Sequence, residues 1–413
     1  MATIFKKILA FNADRNEAFT SLKLEFMSQN AFRFFRGTDH LFYEDLSKNV
    51  TWEDDTKAWI CGDLHLENFG SYKGSNGIVY FDLNDFDEAL LAPATWELVR
   101  LLTSIYVAAK SGEYATTLTD SLCNKLVAAY LQTLKLGKPV IVEKESAKGL
   151  LRHFLQQVQM RKQKDFIAQR LTFKKKKATL LIDNVKFYSL ENAQREKVVK
   201  FMSGWLKKNY PQKKHEILDA VHRVAGTGSV GVDRYAFLTH DGEKYSLLDL
   251  KEAKPSSVAP YVKIKQPKWE NEAQRVVTLQ SRIQQVSPNM LNYLLMNNKS
   301  FVLKALQPSQ DRVELSSCND DLSRMSDIVI TMGQLTASGQ LRSSGRQKSS
   351  VADDLIALAT NNEKWLPKLK IYAKKYAAKV QVDYQSYRKD YFAYMKKNEL
   401  SEKPVKKVKE KKK

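Results

Sequence analysis

Val224-Ala225-Gly226-Thr227-Gly228-Ser229-Val230-Gly231-Val232-Asp233-Arg234-Tyr235-Ala236-Phe237-Leu238 is the stretch on which the fold turns. A G-x-G-x-x-G run occurs in more than one structural setting, and the element next to it in the chain separates them. Where such a run opens a helix it makes the dinucleotide-binding turn of a doubly wound sheet. Here Val232 to Leu238 continues as a strand, so the glycines join two strands and the loop can lie over phosphates. Tyr245 to Leu250 reads as another short strand and Phe301 to Leu306 as a third. Lys251 shares strand parity with Tyr245, Leu247 and Asp249, which lets it point inward from its strand.

Helical spacing surrounds this β-rich segment. Leu98, Leu101, Leu102 and Ile105 fall on one face over residues 94–110, and Leu118, Leu122, Leu126 and Tyr130 do so over 115–136. Ala273, Val276, Val277, Gln280 and Ile283 predict a helix within 268–286, and Met325, Ile328, Val329, Met332 and Leu335 another over 321–341. An apolar fraction of 43% supports a real core, and only 16 Gly and 10 Pro in 413 residues disfavour many-turned β architectures. The three cysteines, at 61, 123 and 318, are too few for a disulfide framework or a cysteine-based zinc site.

The formal charge is +21, from 67 Lys+Arg against 46 Asp+Glu. Part of it sits in the lysine-rich stretch 396–413, which lacks the apolar residues needed to order it and reads as a disordered tail with weak polyanion binding. A second basic cluster, Arg161, Lys162, Lys164 and Lys174 to Lys177, is interleaved with Phe166, Ile167, Leu171 and Phe173 and is expected on the helical lobe near the cleft. The longest apolar run, Leu98 to Ala109, is interrupted by Arg100, so no membrane span is expected and a cytoplasmic location fits best.

The densest chemistry lies earlier, in Cys61-Gly62-Asp63-Leu64-His65-Leu66-Glu67-Asn68-Phe69-Gly70 and Ile78-Val79-Tyr80-Phe81-Asp82-Leu83-Asn84-Asp85-Phe86-Asp87-Glu88. Oxygen donors of this kind suit Mg²⁺. Phosphoryl transfer needs an Asp to orient the acceptor hydroxyl, an Asn to hold a metal and an Asp after a short strand to bridge metal and phosphates. Asp63, Asn68 and Asp82 supply that set in order, with Asp85 and Asp87 as alternatives to Asp82.

These residues resemble the protein-kinase-like fold, especially its aminoglycoside and choline phosphotransferase branch. In that branch a G-D-L-H-x-x-N loop, a metal Asp after an apolar strand and a later W-D/E-L-x-R-L match Gly62 to Asn68, Ile78 to Asp82 and Trp96 to Leu101. A nearer resemblance is to the uncharacterised bacterial family of domain of unknown function 2252. It is carried by Phe35-Arg36-Gly37, Gly62 to Gly70, Phe81 to Glu88, Gly226 to Gly231, Leu250 to Ala253, and Arg275-Val276-Val277 with Gln280. Gly339-Gln340 departs from it, standing where an Ala-His pair is expected.

The resemblance implies an α+β, two-lobed protein-kinase-like fold with a large helical lobe and a small β-rich lobe. The glycine loop and lysine come after the catalytic loop instead of preceding it, which implies a circular permutation. Residues 1–215 then begin the helical lobe, 216–310 form the β-rich nucleotide lobe, 311–395 complete the helical lobe and 396–413 are the tail. The implied cofactors are ATP and Mg²⁺. Gly226, Thr227, Gly228, Ser229, Gly231 and Lys251 hold the nucleotide, and Asn68 with Asp82 or Asp85 holds the metal. Asp63 is the base, and Lys251 pairs with Glu272 in preference to Glu270.

The expected activity is phosphoryl transfer to an unidentified hydroxyl on a small molecule or protein. Two alternatives stay open. One is a nucleotide-binding scaffold without turnover. The other is a metallophosphoesterase, because Gly62-Asp63-Leu64-His65 also looks like that superfamily's G-D-x-H motif.

Overall fold

The computed structural model describes residues 3–174, 177–212, 214–308 and 310–401. Helices α1 (Ile4–Phe11), α2 (Glu17–Gln29), α3 (Ala31–Gly37) and α4 (Asp39–Asn49) open the chain. Thr3, Asn16 and Asn30 start the first three by accepting a first-turn backbone N–H. Strands β1 (Lys57–Ile60), β2 (Phe69–Lys73), β3 (Val79–Leu83) and β4 (Leu90–Pro93) pair antiparallel, β1 with β4 and β2 with β3. The segments 61–68 and 84–89, which carry Asp63, Asn68, Asp85 and Asp87, are connections between these strands.

Helix α5 (Ala94–Lys110) comes next with the bounds its apolar period predicts, and every residue from Ala94 to Ala109 is buried. It is the axis of the larger core, in which α6 (Thr119–Leu136) and α7 (Gly149–Gln159) also take part. The chain then leaves that core through α8 (Gln163–Ala168), the hairpin β5 (Leu171–Lys174) and β6 (Lys177–Leu180), β7 (Phe187–Tyr188) and α9 (Asn192–Asn209).

A six-stranded antiparallel sheet is built from β7, β8 (Glu216–Arg223), β9 (Arg234–His240) and β10 (Tyr245–Glu252), then, after α10 (Glu272–Ile283), β11 (Asn292–Met296) and β12 (Lys299–Leu306). Its spatial order is β11-β12-β10-β9-β8-β7. Alternation along the strands gives two buried faces. Tyr235, Phe237, Leu248 and Leu250 pack on Val198, Met202 and Leu206 of α9. Ala236, Leu238 and Leu247 pack on Ile167, Ala178 and Leu180. The basic cluster around 161–177 is therefore anchored on the sheet and not on the helical body, because Ile167 and the adjoining hairpin fill the second face. Lys175 and Lys176 lie outside the described residues. Residues from 166 onward, ahead of the boundary expected at 216, already contribute to the cores of the sheet.

The chain returns to the larger core through α11 (Leu322–Ser343), α12 (Ala352–Thr360) and α13 (Leu366–Ser401). Helix α13 carries on past residue 396, so the expected tail begins as helix, since adding residues to a formed helix is far easier than nucleating one. Residues 402–413 of the tail lie outside the described residues. The architecture is mixed α+β. Among the described residues no helix is long and apolar enough to cross a membrane.

Candidate active site

Strand β1 ends at Ile60, and the chain turns at Gly62, whose φ is +82°. A Cβ there would collide with the backbone carbonyl of Glu88, so glycine is needed both for the turn and for the close approach of the two loops. Asp63 is the next residue. Its Oδ1 accepts from Arg100 Nε and Nη2 at 3.1 and 2.5 Å. Arg100, fully buried on α5, also stands 3.0 Å from Asp39 Oδ1. Burial pushes the Asp63 carboxyl up to about 6, with Arg100 opposing the rise.

Asn68 ends the short turn Leu66–Asn68, and its amide nitrogen donates to the Asp63 carbonyl at 2.5 Å. Expected as a metal ligand, it braces the turn at Asp63 and is not among the residues lining the cavity that gathers Asp63, Asp85 and Lys251. Buried His65 has Arg36 Nε 3.2 Å from its Nε2, and burial holds the imidazole well below the usual histidine range. It is placed as a structural residue.

Asp82 is likewise not among the residues lining that cavity. It lies within β3, buried, with Arg342 Nη2 of α11 at 3.0 and 2.8 Å from its two oxygens and the N–H of Leu83 donating at 2.9 Å. The strand runs one residue past Asp82, and the carboxylate meets an arginine of the helical core there. Asp85 and Asp87, the alternatives, line the cavity instead. Asp85 is exposed and takes part in no ion pair among the described residues; its Oδ1 lies 3.4 Å from the Asp87 N–H.

Lys251 extends from β10 into the same cavity, and its ammonium pairs with Asp87, 164 residues away in sequence. The expected Lys251–Glu272 pair is not formed. Glu272 is held 2.6 Å from Arg275 one helical turn later, an i,i+3 arrangement that competes with any longer reach. Arg275 does further bracing, donating to the carbonyls of Ala89, Asp87 and Lys254 at 2.5, 2.8 and 3.0 Å. It ties the acidic loop to the end of β10.

The glycine-rich loop joins β8 to β9, as the strand reading requires, with φ of +76° at Gly226 and +92° at Gly231. Gly228 and Ser229 face the cavity. Gly226, Thr227 and Gly231 shape the loop behind them, and Thr227 is buried.

One cavity, of about 70 Å³ and partly open to solvent, gathers Asp63, Asp85, Asp87, Gly228, Ser229 and Lys251. Residues that local patterning leaves unassigned complete it: Arg15 from the turn between α1 and α2, Lys23 from α2, and Arg36 beside the turn at Asp63. The one signal in the sequence for buried charge of this kind is Arg100, standing in an otherwise apolar run. Gln340, at the departure from pattern, is a buried brace: it accepts from Tyr130 Oη at 2.7 Å and donates to the Ala94 carbonyl at 3.0 Å.

Among the described residues no three of His, Cys, Asp and Glu group closely enough to hold a metal ion by themselves. A two-metal phosphoesterase centre needs such a group, and His65 beside Arg36 does not serve one. A Mg²⁺ that travels with a polyphosphate needs only one or two carboxylates, and Asp85 is an uncommitted hard oxygen donor in the right wall.

A sequence family described as an uncharacterised protein conserved in bacteria, DUF2252, matches residues 15–390 of this chain. No curated protein and no solved structure matches it.

Proposed function

We propose that this chain, which belongs to the uncharacterised bacterial family DUF2252, is a nucleotide-dependent phosphotransferase on a circularly permuted, kinase-like framework. The observation that carries the reading is the cavity itself. A glycine loop between two strands, a strand lysine and the Asp63 and Asp85 loops, all remote in sequence, meet around one space. In this reading Gly228, Ser229 and Lys251 hold the phosphates of ATP. Asp85, seconded by Asp87, holds Mg²⁺, which when bound supplies charge neutralisation to the phosphate oxygens.

Asp63 receives the acceptor. Arg100 engages Oδ1, which leaves Oδ2 to accept a hydrogen bond from the incoming hydroxyl. The acceptor oxygen forms a bond to the terminal phosphorus as the bond from that phosphorus to the leaving diphosphate oxygen breaks, and the hydroxyl proton passes to Asp63. With its carboxyl at about 6, Asp63 is mostly ionised at neutral pH and remains close enough to it to take a proton.

A second reading, nucleotide binding without turnover, is favoured by the Lys251–Asp87 pair, which joins a phosphate contact and a candidate metal carboxylate to each other. Calorimetric titration with ATP and GTP, with and without Mg²⁺, then mass analysis for phosphorylated chain and for released diphosphate nucleotide, separates the two. Binding with transfer supports the phosphotransferase, binding without transfer supports the scaffold, and no nucleotide binding ends both.

A further inference from the structure

Two cations in the cavity wall hydrogen-bond only to neutral oxygens, and both stand 5.7 Å from the centre of the Phe11 ring. Lys23 of α2 is 1% exposed, and its ammonium donates to Asn12 Oδ1 at 3.0 Å and to the Gly228 carbonyl at 3.1 Å. Arg15, in the turn between α1 and α2, donates through Nη1 to the carbonyls of Gly228 and Val230 at 2.7 and 2.8 Å. Neither takes part in an ion pair among the described residues.

None of the acidic groups around them touches either cation, and most are paired elsewhere; Glu88, met only by an N–H, and Asp14 act on both cations through space. Asp39 and Asp63 face Arg100, Asp87 faces Lys251, Glu252 faces Lys254, and Glu88 accepts the Ser257 N–H at 2.5 Å. A buried cation with no carboxylate in contact carries a desolvation cost that charges farther off and a ring face offset only in part, and an anion in the adjoining space relieves the remainder. Burial accordingly pulls the Lys23 ammonium well below the ordinary lysine range, with the nearby Arg15 charge acting in the same direction.

We infer that Arg15 and Lys23 form an anion-binding subsite that takes a phosphate group of the ligand beside Gly228 and Ser229, so that the N-terminal helices grip ligand and glycine loop together. The inference rests on the phosphotransferase reading only in taking the anion to be a phosphate. A guanidinium and an ammonium converging on one carbonyl offer a planar fork and a point charge to the oxygens of a single tetrahedral anion. The bland alternative is that both cations merely fasten the loop to α1 and α2.

The probe is inorganic tripolyphosphate, added to the full chain and monitored by melting temperature and calorimetry at low and high salt. The expected result is stabilisation of the wild-type protein that weakens with salt, with affinity reduced about tenfold or more in Arg15→Gln and in Lys23→Met and largely kept in Arg15→Lys. Without probe, Lys23→Met is expected to melt no lower than wild type. Absence of any wild-type shift, or undiminished binding in Arg15→Gln, overturns the subsite and leaves the cations as fasteners. If Lys23→Met does not fold, the Arg15→Gln and Arg15→Lys pair decides alone. Tripolyphosphate binding that depends on Arg15, together with no transfer from ATP, overturns the phosphotransferase and keeps the subsite. Transfer undiminished in Arg15→Gln does the reverse.

Discussion

On the helical side of the cavity Asp63 and Asp39 share the guanidinium of Arg100, and Asp82 behind them is met by Arg342. On the glycine-loop side Arg15 and Lys23 donate to carbonyl oxygens and stand over the Phe11 ring. The first wall is neutralised from within by arginines planted in the helices of the larger core. The second holds two cations that form no ion pair among the described residues, with Glu88 and Asp14 acting on them only through space. The difference teaches which wall is framework and which is receptor: substitutions in the first should read out as stability, and those in the second as ligand affinity.

The contrast breaks most visibly at Arg100. Replacing it with Met leaves Asp39 and Asp63 buried without their cation, and removing one partner of a buried pair costs about 3 to 5 kcal/mol. Urea unfolding of Arg100→Met should show that loss, and adding Asp39→Asn should recover part of it. A loss below about 1 kcal/mol, typical of exposed ion pairs, would mean that solvent and not Arg100 compensates the two carboxylates.

Glu97 sharpens the same wall through pH. It is 2% exposed, accepts the Cys61 N–H at 2.6 Å, and burial pushes its carboxyl from 4.5 to about 7. Between those two pH values the unfolded chain ionises while the folded chain keeps the proton, so stability falls as pH rises through the window and levels off above it. The full fall is about 3 kcal/mol. Asp63, at about 6, adds a fall of the same sign over a lower window. Glu97→Gln should remove the slope between pH 6 and 7, as measured by denaturant midpoints, and reduce it between 4.5 and 6 to the share of Asp63.

Legibility in the sequence divides along the same line. Helix α5 is legible to the residue because its apolar period is unbroken apart from Arg100, and the hairpin at Gly226–Gly231 is legible because a strand and not a helix succeeds the glycines. Local pattern does not show the partner of Asp82, because nothing near it reveals Arg342, 260 residues later. It misjudges the Lys251 partner because helix periodicity places Glu272 toward the core without showing that Arg275 claims it first. Lys23 carries no local mark of its function, since the carbonyl it holds lies 205 residues away. Long-range charge pairing is a property of packing, which periodicity does not encode.

The smallest expected change in stability belongs to Asp85, and the comparison with Asp82 gives it meaning. Asp82→Asn takes the counter-ion from a buried guanidinium that retains the Ile283 and Val140 carbonyls at 2.6 and 3.2 Å, so a cost of about 1 to 3 kcal/mol is expected. Asp85→Asn alters an exposed carboxylate without an ion pair, and its unfolding free energy should stay within about 0.5 kcal/mol of wild type. The order inverts for metal. The melting-temperature increment that ATP gains from Mg²⁺ over EDTA should vanish in Asp85→Asn and persist in Asp82→Asn, because a carboxylate already paired with arginine must lose that pair before it can coordinate, whereas an unpaired one need shed only water. If the increment vanished in Asp82→Asn and persisted in Asp85→Asn, Arg342 would have to release Asp82 when ligand binds, and α11 would then belong to the receptor and not to the framework.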